Sequence, residues 1–313
     1  MRGHGIFGKG IETMTARPRI GFVGLGNMGR PMVENLLKAG FELAVADADP
    51  RHLAGLGRRA LLPASLGALG RMSDIVVAML PDGKIVRKVL LGDAGSNDGV
   101  LAGLKAGSLV IDMSSSAPVG TRALGAELAA RGIALVDAPV SGGVKRAVDG
   151  TLAIMVGGEA ADIERCRPLL AAMGRDIFPT GPLGSGHAMK ALNNYVSAAG
   201  LAAAAEAVLV GERFGLDPAV MTDILNASTG RNNATENKLK QFILSRRYSA
   251  GFSLGLMAKD LRTALETAEA TATPAPLAAA CIALWNAAEA RLGGAADHTE
   301  IARYLEILSE KPQ

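Results

Sequence analysis

The 313-residue chain is long enough for two domains of ordinary size. Its 33 basic residues against 30 acidic ones leave a formal charge of only +3, spread along the chain, which argues against a nucleic-acid partner or an anionic membrane surface. With 49% hydrophobic and 20% charged residues it is not a disordered chain, and 4% aromatic residues leave little from which to build a base-stacking surface.

In chain order, residues 1–17 read as a disordered extension. They hold no apolar run of signal-peptide length, and Met14-Thr15 stands as a second natural start, so Met1 to Thr13 need not be native. From Arg19 to about Pro179, short aliphatic runs alternate with helical patterns, the mark of βαβ units and a parallel sheet. The expected strands are Ile20–Val23, Leu43–Ala46, Ile75–Met79, Leu109–Ile111, Ala134–Val136, Leu152–Val156 and Asp176–Phe178. Most are continuously apolar, as strands covered on both faces should be.

The stretch Thr180-Gly-Pro-Leu-Gly-Ser-Gly186 ends the sheet pattern, with Ser185 as a candidate N-cap. Helical periodicity then covers Ala188–Phe214, Pro218–Asn226, Asn237–Leu244, Leu256–Ala270, Pro276–Arg291 and Thr299–Leu308. The expected architecture is α/β: a domain built on a parallel sheet over 18–182, then an all-helical domain over 183–313. No stretch of about 18 apolar residues runs uninterrupted, and the Ala-rich run Ala198–Val210 carries Glu206, so it reads as a buried helix and not a membrane span. Cys166 and Cys281 are far apart, with no CxxC or Cys/His cluster. Neither a metal site nor a disulfide framework is expected, and a cytoplasmic setting fits.

The clearest chemical motif is Gly24-Leu25-Gly26-Asn27-Met28-Gly29, between a strand and a helix. Gly24 permits the tight turn and Gly26 lets the backbone approach a pyrophosphate. Gly29 allows close helix–strand packing, and the helix N-terminus favours negative charge. Asp47, at the end of the second strand, is spaced as a ribose-binding carboxylate. It accepts hydrogen bonds from free ribose hydroxyls and repels a 2′-phosphate, and Ala48 supplies no cation to reverse that. NAD is therefore the preferred cofactor and NADP the alternative. Arg30 and Arg51 are the nearby basic residues that a 2′-phosphate would need.

Several strings together carry a wider resemblance: Gly21-Phe-Val-Gly-Leu-Gly-Asn-Met-Gly29, Met79-Leu-Pro81, Asp137-Ala-Pro-Val-Ser-Gly-Gly143, Gly150-Thr-Leu-Ala-Ile-Met-Val-Gly-Gly158, Lys190-Ala-Leu-Asn-Asn194 and Leu256-Met-Ala-Lys-Asp-Leu261. From about residue 18 to 308 the chain resembles the β-hydroxyacid dehydrogenase family, which includes 3-hydroxyisobutyrate dehydrogenases and tartronate semialdehyde reductases. The resemblance implies a Rossmann-type NAD-binding domain over 18–182, a long interdomain helix that opens the helical domain over 183–313, and a homodimer or homotetramer through that helical domain. It also puts the catalytic lysine at Lys190, and the chemistry agrees, because alcohol oxidation beside a nicotinamide needs a group that takes the hydroxyl proton as hydride leaves. Asn194 lies one helical turn on, with Asn193 beside it, and a neutral amide there can hold lysine and substrate without adding charge.

Ser141, Gly142 and Gly143 can offer backbone N–H groups and a hydroxyl to a substrate carboxylate, and the resemblance implies the same role. From the resemblance alone, Leu80 and Pro81 close over the cofactor, Ser115 lies near the nicotinamide ribose, and Lys259 reaches the cofactor with Asp260 in support. His187, without an apparent carboxylate partner, reads as a helix-end or packing residue. Gly230-Arg-Asn-Asn233 is a candidate reader of the far end of the substrate, or else a polar loop.

The function expected is reversible oxidation of a small 3-hydroxy carboxylic acid to its semialdehyde or keto form. One alternative is a reductase of a small aldehyde acid such as tartronate semialdehyde, glyoxylate or succinic semialdehyde. Another, of a different kind, is a non-catalytic dinucleotide-binding interaction module.

Overall fold

A computed structural model describes residues 17–93 and 98–310. Met1 to Thr13 lie outside the described residues, and of the extension expected over 1–17 only Arg17 lies within them.

Strand β1 (Ile20–Val23) leads through helix α1 (Gly29–Lys38) to β2 (Leu43–Ala46) on one side of it. The chain then crosses through α2 (Leu66–Arg71) to β3 (Ile75–Ala78) on the other side. Helices α3 (Gly83–Leu91) and α4 (Pro118–Ala129) carry it on to β4 (Leu109–Asp112) and β5 (Ala134–Asp137), all parallel and in register, with Asp112 opposite Asp137. Every residue of β1, β3 and β4 is buried, which explains why their sequences show no alternation. The strand order β2-β1-β3 reverses direction beside β1. That is the switch point where doubly wound sheets leave a crevice beyond the carboxyl ends of their strands.

The sheet closes with β6 (Val140–Ser141), α5 (Gly143–Asp149), β7 (Leu152–Gly157), α6 (Ala160–Met173) and β8 (Gly174–Gly181). Here β7 runs antiparallel to β5 and β6 and parallel to β8. The two-residue β6 is too short to leave a sequence signature. Strand β8 extends well beyond the expected Asp176–Phe178, because pairing with β7 supports residues such as Pro179 that carry no β-propensity of their own.

Helix α7 (Ser185–Phe214) runs 30 residues, roughly 45 Å, from the sheet into the helical layer. It is capped by Gly184 in a left-handed conformation and not by Ser185, whose hydroxyl instead lies 2.7 Å from that of Thr180. By length and composition alone α7 could cross a membrane. In this fold its Leu201, Ala205 and Val208 join Leu254, Leu261, Trp285 and Ile301 in a second core. That core is completed by α8 (Pro218–Ala227), α9 (Asn233–Asn237), α10 (Leu254–Ala270), α11 (Pro276–Leu292) and α12 (Ile301–Ser309).

The single helix expected over Asn237–Leu244 is two elements. Asn232 and Thr235 form a capping box that starts α9 early, the chain leaves the helix at Lys238, and Leu239–Leu244 forms a π-type turn. Both cysteines are buried free thiols.

Candidate active site

The glycine turn sits at the carboxyl end of β1. A Cβ at Gly24 would stand 2.2 Å from the Met79 carbonyl oxygen, and one at Gly29 would stand 1.9 Å from the carbonyl oxygen of Gly24. These contacts hold α1 tight against the sheet. Gly26 has nothing within 4 Å of the corresponding position, so the turn is closed beneath and open above. The residues fit a dinucleotide: Gly26 and the N-terminus of α1, whose first turn carries no acidic residue, would hold its pyrophosphate.

Asp47 stands where the sequence places it. Its Oδ2 accepts the Leu25 backbone N–H at 2.5 Å and its Oδ1 that of Asp49 at 2.7 Å, with His52 Nδ1 at 3.1 Å. The carboxylate is thus aimed by the glycine turn itself. Neither nearby arginine is free. Arg51 is bound to Asp49, while Arg30 pairs with Glu34 and donates to the carbonyls of His52 and Ala54.

Across the crevice the β3 and β4 loops meet α10. Asp112 accepts the Ser114 N–H and the Ser116 hydroxyl, and Ser114 Oγ in turn accepts the Leu80 N–H at 3.0 Å. Lys259 Nζ donates to the carbonyls of Ser115, at 2.6 Å, and Pro81, at 3.3 Å, fastening the helical layer to both loops. Asp260 lies 3.2 Å from Lys259, and it also accepts the Ser115 hydroxyl at 2.8 Å and the Asn194 amide at 2.5 Å. These last two contacts join residues 66 and 145 positions apart, which no local pattern could reveal.

Lys190 projects from the second turn of α7, half-buried, and makes no hydrogen bond or ion pair with the described residues. Burial holds its amine below the usual lysine range; the charge of Asp260 pulls the other way, and that of Lys259 lowers it further. Asn194 is buried one turn on, with Asn193 donating to its Oδ1 at 3.2 Å. The first turn of α7 is anchored from the sheet, since the buried Asp137 accepts the backbone N–H groups of Gly184 and His187, both at 2.7 Å.

His187 does have carboxylate neighbours. Its ring nitrogens lie 3.7 Å from Asp137 and 3.8 Å from Asp112, with Thr121 Oγ1 at 2.8 Å. The expectation of no partner failed because the two aspartates come from the ends of adjacent strands, far from His187 in the chain. The packing role stands, since the side chain is fully buried.

Ser141 ends β6, Gly142 links the two elements and Gly143 opens α5. Gly142 (φ 128°) and Gly143 (φ 66°) occupy backbone regions that other residues rarely adopt. The Gly230–Asn233 segment lies elsewhere. Arg231 pairs with Glu236, and Asn232, the cap of α9, lies against Gly200, ten residues or roughly 15 Å along α7 from Lys190. Among the described residues no His, Cys, Asp or Glu cluster is arranged to hold a metal ion.

Fold and glycine turn together define a two-domain, NAD-binding oxidoreductase. The comparisons agree: a model of the NAD binding domain of 6-phosphogluconate dehydrogenase matches residues 19–181, and one described as NAD-binding of NADP-dependent 3-hydroxyisobutyrate dehydrogenase matches 184–305. The chain is similar to 2-(hydroxymethyl)glutarate dehydrogenase of Eubacterium barkeri, with 37% identity over 93% of this chain and 96% of that one. It is also similar to 3-hydroxyisobutyrate dehydrogenase of Pseudomonas aeruginosa, with 41% identity over 83% of this chain and 88% of that one. A solved structure of Mycobacterium tuberculosis 3-hydroxyisobutyrate dehydrogenase with L-serine superposes with a TM-score of 0.83, at 33% identity, covering 92% of this chain and 99% of that one. The chain belongs to the β-hydroxyacid dehydrogenase family.

Proposed function

We propose that the protein reversibly oxidises small 3-hydroxy carboxylic acids with NAD, using Lys190 as the acid/base group. The observation that carries this reading is the unpartnered, half-buried amine of Lys190 on the first turns of the interdomain helix, held below the usual lysine range. NAD, when bound over the glycine turn, supplies the nicotinamide carbon that takes the hydride. The neutral Lys190 amine accepts the alcohol proton, and the ammonium returns it in the reverse direction. Asn194, tethered by Asp260, and Asn193 hold the hydroxyl beside that amine without adding charge. Ser141, Gly142 and Gly143 receive the carboxylate, whose binding orients the carbinol carbon.

Asp47 takes the adenosine ribose hydroxyls. With Arg51 bound to Asp49, Arg30 bound to Glu34 and Ala48 uncharged, a 2′-phosphate would meet the Asp47 carboxylate without the help of either arginine, which supports NAD over NADP. Leu80, Pro81, Ser115 and Lys259 line the cofactor side of the cleft, and Lys259 secures that side by bridging two of its loops.

The same reading includes a homodimer. Met189, Leu192, Val196, Val210 and Phe214 are exposed along α7 at helical spacing, and Val220 and Ile224 continue the stripe on α8. Two buried thiols without a disulfide fit a reducing cytosol.

The test is a panel of small 3-hydroxy acids, including 3-hydroxyisobutyrate and 2-(hydroxymethyl)glutarate, with their methyl esters, assayed with NAD and NADP by formation of the reduced nicotinamide. Oxidation of the acids, with NAD favoured and the esters poor, is expected. No reduction of either cofactor by any 3-hydroxy acid would overturn the reading.

A further inference from the structure

One cation beside the carboxylate turn remains without a role. In α5 the side chain of Arg146 folds back over Gly142, so that a Cβ at Gly142 would stand 2.3 Å from Arg146 Cδ, 2.8 Å from its Cβ and 3.0 Å from its Cγ. The guanidinium, which begins at the atom bonded to that Cδ, therefore lies beside the Ser141–Gly143 turn. It is exposed and makes no hydrogen bond or ion pair with any described residue, and Lys145 before it makes none either. Asp149, the acidic residue one turn further on, pairs with neither. Arg30, Arg51 and Arg59, on the glycine-turn side, show the contrast, since Arg51 is bound to Asp49 while Arg30 and Arg59 share Glu34.

The placement of Arg146 is built into the fold. The opposite side of α5 is fixed by Asn35 of α1, whose amide donates to the Ala147 carbonyl at 2.7 Å, and Ala147 is fully buried. The Arg146 carbonyl accepts the N–H groups of Gly150 and Thr151, ending the helix there. With the helix held on both counts, the side chain of residue 146 is directed across Gly142. A fork of five N–H donors with no partner, pinned beside a turn that itself offers N–H groups, matches a planar anion bidentately.

We propose that Arg146 is a specificity-determining residue that binds a second anionic group on the substrate, so that the preferred substrate is a 3-hydroxy acid carrying a further carboxylate. One carboxylate sits on the Ser141–Gly143 turn and orients the carbinol carbon toward Lys190. The other, further along the carbon chain, pairs with Arg146. This rests on the 3-hydroxy acid reading above and adds to it the charge of the remaining substituent. Lys145, exposed on the same helix, adds to the positive field without fixing direction.

The experiment compares kcat/KM for 2-(hydroxymethyl)glutarate and 3-hydroxyisobutyrate, in wild type and in Arg146→Ala, Arg146→Gln and Arg146→Lys, with the KM for NAD measured alongside to report an intact fold. Wild type is expected to favour the dicarboxylate by at least about tenfold, as one solvent-accessible bidentate ion pair allows. Arg146→Ala and Arg146→Gln should bring that ratio close to one through the KM of the dicarboxylate, and Arg146→Lys should restore part of it. A wild-type ratio near one, or a ratio that survives Arg146→Gln with the KM for NAD unchanged, would overturn the proposal. Equal losses on both acids would also overturn it, by showing that Arg146 helps only the first carboxylate. If wild type oxidises neither acid, the proposal falls, and the 3-hydroxy acid reading falls with it only when every other 3-hydroxy acid of the panel also fails; the other failures leave that reading standing.

Discussion

Lys190 and Asp260 share one electrostatic environment, and its sign can be read by titration. Burial disfavours the Lys190 ammonium, and the Asp260 carboxylate partly restores it. Because oxidation of the alcohol needs the neutral amine, kcat/KM in that direction should rise with pH through the Lys190 pKa, while reduction, which needs the ammonium, falls. Asp260→Asn keeps the shape but removes the charge that supports the ammonium, so the rise should move to lower pH. Loss of the tether on Asn194 should also lower the maximum by about tenfold. A pH profile that does not move, or moves to higher pH, would contradict the arrangement. What the sequence shows at this scale is residues carried in contiguous strings: Gly24, Gly26 and Gly29, Lys190 with Asn194, and Lys259 with Asp260. The bonds from Asp260 to Asn194 and Ser115 stayed hidden because they exist only after two domains have packed.

Among the elements, α7 depends most on residues outside itself. Its first turn has no side-chain cap of its own, and two of its free N–H groups are satisfied by Asp137 from β5, in a site that excludes water. Burial pushes that carboxyl above its usual range, against the His187 charge and the two N–H donors that favour ionisation. Asp137→Ala would leave both donors buried and unpaired, at a cost of about 3 kcal/mol. Asp137→Asn, which keeps one acceptor, should cost about half as much. Denaturant unfolding followed by circular dichroism measures both, and a loss below about 1 kcal/mol for Asp137→Ala would show that the cap does not hold the helix. This dependence also explains why the sequence reads α7 as starting at Ala188 and offers Ser185 as its cap: the true partner is nearly 50 residues upstream. The central strands, by contrast, declare themselves in isolation, because burial on both faces demands apolar residues at every position.

For the whole molecule, the exposed apolar stripe along α7 and α8 is the feature a monomer explains least. Val196 is 68% exposed, Val210 69% and Phe214 85%, on a helix whose other side is fully packed. If two copies bury these stripes against each other, Val196→Glu combined with Val210→Glu should convert a dimer to a monomer in analytical ultracentrifugation, with the helical content retained. A wild-type chain that sediments as a monomer at micromolar concentration would refute that arrangement.

The central claim, that the Lys190 amine moves the proton as hydride leaves a 3-hydroxy acid, is tested most directly by Lys190→Met. Methionine keeps most of the side-chain stem and its packing while removing the group that titrates. With a 3-hydroxy acid that wild type oxidises, turnover should fall by roughly 10²–10⁴-fold while the dissociation constant for NAD, followed by intrinsic fluorescence or calorimetry, stays within about twofold. Turnover in Lys190→Met equal to that of wild type would contradict the account.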